Sequence, residues 1–455
     1  MLQELPESLD ETYERVLREI NKKNREHAHR LLQCLTVAVR PLRIAELAEI
    51  LAVDFGTTTD GVTSRLNPDW RWEDQEQAVL STCSSLIAVV DEDGSQVVQF
   101  SHFSVKEFLT SSRLIDSSGD VSRFHIDLGR AHTIIAKACL GTLLRLPVDI
   151  QDNEFSVKDR FPLAKYAAEH WADHAQFENV VSQIQETMEI LFDPDKPYFS
   201  AWIQIHDIDT VPFARSTFWY FTPNDKSVAG PLYYAALCGF HDLAEHLIHN
   251  YSQQVNTSGG WYVSPLVVAL AKGHFKIAEL LYRHDADIDP KGHRGNTPLF
   301  GVSSSGHLGI TQWLLHRGAD PNARNEGEGR NQTPLHYAAE DGHPKVAQTL
   351  LQHKADKNIQ DGNGQTPLHL ASSHGHPDVA RLLLEQGVDV KARSKDGSTA
   401  LHLASKKGRL EVTRLLIEHG ADVGAENDEG RTPFQVASES DMVKLLSGHG
   451  SSEGM

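Results

Sequence analysis

"GQTPLHLASSHGH" runs from Gly364 to His376, and its core has a near copy at Thr333, Pro334, Leu335 and His336. A reaction needs one site, so a catalytic motif normally occurs once. A motif that returns at constant spacing is a construction unit. The proline of each copy serves as a ruler. It falls at Pro231, Pro265, Pro298, Pro334 and Pro367, gives way to Ala400, and returns at Pro433, in steps of 34, 33, 36, 33, 33 and 33 residues.

Each copy follows one physical plan. Thr stands where a side-chain oxygen can cap a helix, and Pro follows at the first helical position, where its missing N–H costs nothing. A short apolar helix comes next, as in "LHYAAEDGH" after Pro334, with Gly342 as a left-handed cap. In the second helix, "KVAQTLLQH", Val346, Leu350 and Leu351 share one side. A polar turn such as "DGNG" at 361–364 leads to the next copy. One unit cannot bury its apolar face alone; stacked units can.

These residues resemble the ankyrin repeat: T-P-L-H-x-A, then G-H, a V-x-x-L-L helix, and G-A-D, seen in "HRGADPNA" at 316–323 and "EHGADVGA" at 418–425. The resemblance covers 227–450 and implies seven ankyrin repeats. Gly230 and Ser264 replace the Thr in the first copies. The last copy, "TPFQVASESDMVKLLSGHG", is about three residues short between its helices and carries polar Ser438, Glu439 and Ser440, which suits an end-cap. The stretch "NARNEGEGRNQ" at 322–332 puts three extra residues into its finger. Residues 451–455 read as a disordered tail.

The N-terminal half has another rhythm. "SLDETYERVLREI", "EHAHRLLQCLTVAV" and "RPLRIAELAEILAV" read as amphipathic helices, the third with Pro41 near its start. "AVLSTCSSLIAVV" runs from helix to strand, "DEDGSQ" at 91–96 turns at Asp93-Gly94, and "VVQFSHF" returns as the paired strand. "SVKEFLTSSRL" closes the segment as a helix. Residues 1–118 thus read as a winged-helix-like unit, an α/β-hairpin domain. Residues 119–226 read as a helical bridge, from "AHTIIAKACLGTLLRL", "PLAKYAAEHWADHAQFENV", "VSQIQETMEILF" and "YFSAWIQIHDI". The fold class expected is mainly α, an ankyrin-repeat solenoid preceded by these two parts.

The run "LPESLDETYERVL…RLLQCLTVAVRPLRIAELAEILA…CSSLIAVV…VQFSHFSVKEFL" is similar to the winged-helix segment of fungal NACHT–ankyrin proteins, which are NLR-type and receptor-like. In that family a P-loop NTPase precedes the winged helix, and its G-x-x-x-x-G-K-[ST] string holds nucleotide. This chain has no such string; the nearest, "GVSSSG" at 301–306, continues with His307. The expectation is a chain that neither binds nor hydrolyses ATP or GTP and holds no cofactor.

Composition narrows the function classes. The net charge is −19. Up to residue 229 there are 22 Lys+Arg against 36 Asp+Glu, giving −14; beyond it 21 against 26 give −5. Neither half has the basic excess of a nucleic-acid binder, which weighs against the alternative of a nucleic-acid-binding winged-helix regulator. Cys34, Cys83, Cys139 and Cys238 lie far apart without a CxxC pair, as suits reduced thiols rather than disulfides or zinc. The start lacks the apolar core of a secretory signal, and no run nears the roughly 18 apolar residues of a membrane span. The expected location is cytoplasmic, with the nucleus compatible.

Seventeen of the 25 histidines fall in the repeats. Those at 336, 369 and 402 occupy equivalent places in separate repeats, roughly 10 Å apart in a stack and too far to share an ion. "HDLAEH" at 241–246 spaces its histidines five apart, unlike HExxH. With no GxSxG, no paired metal ligands and no phosphate loop, no enzyme is expected.

The reading is a non-enzymatic protein-binding scaffold, the recognition or regulatory half of an NLR-like signalling protein, whose partner is a protein and sits on the concave ankyrin face. By position within the repeat, the contacts expected are Arg330, Gln332, Tyr337, Glu340 and Asp341 in the fourth copy. In the fifth they are Asn363, Gln365, Ser373 and His374, and in the sixth Lys395, Asp396, Ser398, Lys406 and Lys407. Thr366 is expected to act as a helix cap and Gln365 as an outward-facing residue.

Overall fold

The computed structural model describes residues 9–55, 65–66, 79, 83, 85–92, 94–117, 119–147, 160–209, 229–292, 295–326 and 329–450. The chain forms two compact units, one of residues 1–210 with Asp242–Leu247, the other of residues 211–241 and 248–455. The expected tail at 451–455 and the stretch 210–228 lie outside the described residues.

The first unit opens with α1 (Leu9–Glu19) and α2 (Arg25–Val37), the latter burying Ala28, Leu31 and Leu32 at helical spacing. Then come β1 (Leu42–Arg43), α3 (Ile44–Leu51), β2 (Val53–Asp54), β3 (Arg65–Leu66), β4 (Ile87–Glu92) and β5 (Ser95–Phe100). β4 and β5 pair antiparallel from Ile87↔Phe100 to Glu92↔Ser95. A two-residue connection needs a left-handed residue, and Gly94 supplies it at φ +76 while its N–H donates to the Asp91 carboxylate at 3.0 Å. Asp93 lies outside the described residues.

The hairpin has a third strand that the sequence reading missed. β1 pairs with β5 through Leu42↔Val98 and Arg43↔Val97, so the sheet order is β1-β5-β4. Pro41 has no N–H to donate, a residue tolerated where an edge strand begins. β2 and β3 make a second, two-stranded sheet. The expected closing helix is two: α4 (Phe103–Thr110) and α5 (Ser112–Asp116). Ser111 between them is extended at ψ 150, and both its N–H and its hydroxyl turn back to the Phe108 carbonyl.

Among the described residues four more helices follow in this unit: α6 (Leu128–Leu143), α7 (Ala164–Ala175), α8 (Val181–Phe192) and α9 (Tyr198–Ile205). Asp127 caps α6 by accepting the Arg130 N–H at 2.7 Å. Trp171, Trp202, Phe192 and Phe199 interlock edge-on or tilted, with ring centroids 5.4–6.0 Å apart. Buried Glu49 of α3 accepts the Leu163 N–H at 2.8 Å and Arg145 at 3.3 Å, and the Val39 N–H donates to the Tyr166 hydroxyl at 3.2 Å.

Seven helix pairs follow one another among the described residues from Pro231 onward, all in the second unit except residues 242–247. They are α10 (Pro231–Cys238) with α11 (His241–Asn250), α12 (Pro265–Ala271) with α13 (Phe275–Arg283), α14 (Pro298–Ser305) with α15 (Leu308–His316), and α16 (Pro334–Glu340) with α17 (Pro344–Gln352). Next are α18 (Pro367–His374) with α19 (Pro377–Glu385), α20 (Ala400–Lys406) with α21 (Leu410–Glu418), and α22 (Pro433–Val436) with α23 (Ser440–Gly450). This is an ankyrin solenoid preceded by a winged-helix domain, and the chain is mainly helical.

A side-chain ladder crosses the turns between repeats. Asn256 accepts the Asp287 N–H at 2.8 Å and donates to the Asp285 carbonyl at 3.0 Å; Asn322 does the same with Asp356 and Lys354 at 2.7 and 3.2 Å. Asn358 accepts the Asp389 N–H at 3.0 Å. At the equivalent Asp289, one oxygen takes the Asp320 N–H at 2.9 Å and the other is buried without a partner. At the next equivalent place, Lys391 has no acceptor to offer, so the ladder stops before Asp422. Among the described residues no helix is long and apolar enough to cross a membrane.

Candidate protein-binding face

The fingers of repeats four to six are held by one device repeated three times. In the fifth repeat, His369 Nδ1 accepts the Thr366 N–H at 3.2 Å and meets the Thr366 hydroxyl at 2.8 Å. Nδ1 is therefore the lone-pair nitrogen, Nε2 carries the proton, and it donates to the Ser398 carbonyl of the next finger at 3.2 Å. His336 repeats this with Thr333 and the Gln365 carbonyl at 3.0 Å, and His402 with Thr399 and the Arg431 carbonyl at 3.0 Å. This is a capping box whose third position is histidine instead of Glu or Gln. The expected threonine cap thus acts jointly with a ring that also fastens the neighbouring finger.

Burial holds His336 down to about 4 and lowers His369 and His402, since a second ring proton would face an N–H. Both ring nitrogens of each are used inside the stack, leaving no lone pair for an ion. Among the described residues His241, Asp242 and Glu245 bring potential ligand atoms within 4.8 Å of one another, on a solvent-facing turn of α11.

Where the histidine is absent, the device changes. Tyr233 takes its place in the first repeat, and its hydroxyl accepts the Tyr262 N–H of the next finger at 3.2 Å. In the second, Ser264 caps the Val267 N–H at 3.4 Å. In the third, Phe300 stands there, and the buried Thr297 hydroxyl has no partner.

Each finger is closed by a short hairpin. Asp361 donates its N–H to the Gln365 carbonyl, and its carboxylate takes the N–H groups of Asn363 and Gln365, each at 2.8 Å. In the sixth repeat Ser394 and Ser398 are paired at the same four-residue spacing. In the fourth, the pair is Asn325 and Gln332, seven apart. The three extra residues therefore lie inside the fingertip, between two closing residues that keep their places; of these, 327 and 328 are outside the described residues. Backbone bonds join successive fingertips: Gly362 N–H to the Arg330 carbonyl at 2.5 Å, Lys395 to Asn363 at 2.9 Å, and Asp428 to Asp396 at 3.1 Å. A Cβ on Gly362 would stand 1.5 Å from the Gly329 carbonyl oxygen, so only glycine fits there.

On this frame Arg330, Asp341, Asn363, His374, Lys395, Asp396, Lys406 and Lys407 are exposed, and Tyr337, Glu340, Gln365 and Ser373 are half-buried. The Tyr337 hydroxyl accepts from Asn325 at 3.0 Å and its ring packs edge-on against Phe300. Ser394 and Ser398 donate hydroxyls to Asp396, the first of these bonds doing most to hold its carboxyl below the ordinary range. Gln332 and Ser398 are placed differently from the expectation: each is only 4% exposed. The Gln332 backbone pairs with Asn325, and the Ser398 backbone pairs with Ser394 while its hydroxyl joins Asp396, which requires both inside the frame. The cross-finger role of the histidines was missed; the signal was His three residues after Thr, the capping-box spacing.

Comparison with known proteins agrees with this architecture. A family model of ankyrin repeats matches in three copies, at residues 232–325, 323–394 and 386–453. A second model, the winged helix domain of GPI inositol-deacylase, matches residues 13–126. The chain is similar to the azaphilone pigments biosynthesis cluster protein L of Monascus ruber, 32% identical over 300 residues, which is 63% of this chain and 61% of that protein. It therefore spans about 61% of the length of that curated relative. Among solved structures, the ankyrin repeat domain of Bcl-3, a member of the IkappaB family, is 27% identical, covering 50% of this chain and all of that one with a TM-score of 0.44. The chain thus joins a winged-helix domain of the GPI inositol-deacylase type to a series of ankyrin repeats.

Proposed function

We propose that the chain is a non-enzymatic scaffold that binds a protein partner on the concave face of its repeats, as the recognition or regulatory half of an NLR-like signalling protein. The observation that carries this is the contrast between frame and surface in repeats four to six. Thr, His, Gly and the finger-closing residues spend their polar atoms inside the stack, while Arg330, Asn363, Lys395, Lys406 and Lys407 keep their side chains in solvent. A face built rigidly and left chemically unspent suits recognition. Gln332 and Ser398 belong to its frame. The NLR-like part of the reading is supported by the winged-helix match ahead of the repeats. On this reading the protein works in the cytoplasm, without nucleotide, nucleic acid or membrane.

The test is a peptide library displayed against the full chain. Ligands are expected to be recovered and to lose binding when Asn363, His374, Lys395, Lys406 and Lys407 are changed to Ala, singly or together. Ligands indifferent to all of these changes, or saturable binding of a fluorescent ATP or GTP analogue at micromolar concentration, would overturn the reading.

A further inference from the structure

The ends of the first helices form one row across the repeats. Ser304 lies in the last turn of α14, Glu340 and its cap Asp341 end α16, Ser373 and His374 end α18, and Lys406 with its cap Lys407 end α20. Neighbours in the row touch: the Ser304 hydroxyl donates to Asp341 at 2.7 Å and the His374 ring lies 3.9 Å from Glu340, while Arg409, just past the sixth-repeat end, donates its Nε to the Ser373 carbonyl at 3.2 Å. The row is sorted by charge. Its fourth-repeat end is anionic, its fifth is neutral apart from histidine, and its sixth is cationic, with Lys395 adding a third lysine from the fingertip beside Asp396, whose carboxylate is taken up by Ser394 and Ser398.

The lysines are the uncompensated part. Among the described residues, no carboxylate forms an ion pair with Lys395, Lys406 or Lys407. Nearby Asp428 pairs with Arg393 at 3.2 Å, Glu429 pairs with Arg431, and Glu439 at the next helix end reaches neither lysine. A chain of net charge −19 that leaves three ammonium groups free on one repeat presents a local sign opposite to its long-range field.

We infer that the partner docks through an extended peptide segment with acidic residues against Lys395, Lys406 and Lys407 and a basic residue against Glu340 and Asp341. The inference rests on the concave-face reading above. Helices of stacked neighbours lie about 8–10 Å apart, so two repeats span roughly 16–20 Å. At about 3.3 Å per extended residue, that separates the two charged blocks by about five or six positions. The opposed ends also set register, because a segment shifted or reversed meets like charge.

The probe is a displayed library of random peptides of about twelve residues, long enough for both blocks. It is selected in parallel on the full chain and on the full chain carrying Lys406→Glu with Lys407→Glu. The wild type should enrich Asp or Glu about six positions from Lys or Arg, and the variant should not. A synthetic peptide of that pattern should bind the variant about tenfold more weakly and lose affinity as salt rises from about 50 to about 500 mM. A scrambled peptide of the same composition should bind neither protein. Lys406→Ala with Lys407→Ala serves if the glutamates disturb folding, with thermal melts confirming that each variant is intact. Peptides that need Asn363 or His374 but show no charge pattern would sink this inference and leave the face reading standing. Peptides indifferent to the whole face would remove both.

Discussion

The two units use the same kinds of bond over very different distances in sequence. In the repeats, the ring ties of His336, His369 and His402 each join residues 29 apart, and the Asn322 rung joins residues 34 apart. In the first unit, Tyr13 meets Ser104 91 residues away, Glu49 meets Leu163 across 114, and Val39 meets Tyr166 across 127. Ties of the first kind add nearest-neighbour terms, and a weakened repeat disturbs chiefly the two beside it. Ties of the second kind close long loops, so one lost contact is felt across the whole unit.

The largest test of that contrast is Glu49→Ala. It leaves the Arg145 guanidinium and the Leu163 N–H without their carboxylate, and should cost about 3 kcal/mol. Hydrogen exchange should rise together in α2, α3, α6 and α7; a rise confined to α3 would break the comparison.

Next comes His369→Ala, which removes one cap and one cross-finger bond from the stack and should cost about 2–3 kcal/mol. Exchange should rise in repeats five and six and stay unchanged in the first two. Thr366→Ala keeps the ring and should cost about 1 kcal/mol. Thr297→Ala should change stability by less than about 0.5 kcal/mol, because that hydroxyl has no partner to lose. Gln365→Ala, which removes a half-buried side chain that makes no hydrogen bond among the described residues, should match it. Equal losses for Thr366 and Thr297 would show that the histidine partnership adds nothing.

Acid gives a further distinction. The folded repeats reject protons at His336, His369 and His402, whereas the unfolded chain accepts them near 6.5. Stability from these rings is complete above 6.5 and should fall as pH drops toward about 4. Urea midpoints of the wild type should show that slope, and His336→Gln should make it shallower.

One pH effect runs the other way. Burial raises the Asp289 carboxyl, so its contribution is greatest in acid and is lost as pH rises through its folded value. Asp289→Asn restores the donor seen in Asn256 and Asn322, and should raise stability at neutral pH by about 0.5–1 kcal/mol. A loss would mean that the lone oxygen has a partner in solution.

These distances also explain what could be read in the sequence. The repeat announced itself because each unit restates the same local solution within 33 residues, and even the longer fourth finger was visible as a step of 36. The α-helices of the first unit were legible from their apolar stripes. β1 was not: two residues, Leu42 and Arg43, become a strand only because Val97 and Val98 arrive beside them. The break at Ser111 likewise depends on where its backbone finds partners. On the proposed face, position within the repeat marked Arg330, Asn363, Lys395, Lys406 and Lys407 as exposed, but Gln332 and Ser398 were misplaced because their backbone groups close the fingers.

The rung missing at Lys391 has a mechanical meaning. A solenoid pulled from its ends yields first where the fewest transverse bonds bear the load. Here the seventh helix pair keeps its finger bond, the His402 tie, the Ser438 bond to the Lys406 carbonyl and the Arg393–Asp428 pair, but lacks the turn-to-turn rung that secures earlier pairs. Under tension at the C-terminus, α22 and α23 should peel away as the first discrete extension. Lys391→Asn would move that event to a higher force by letting Asp422 be held as Asp356 and Asp389 are.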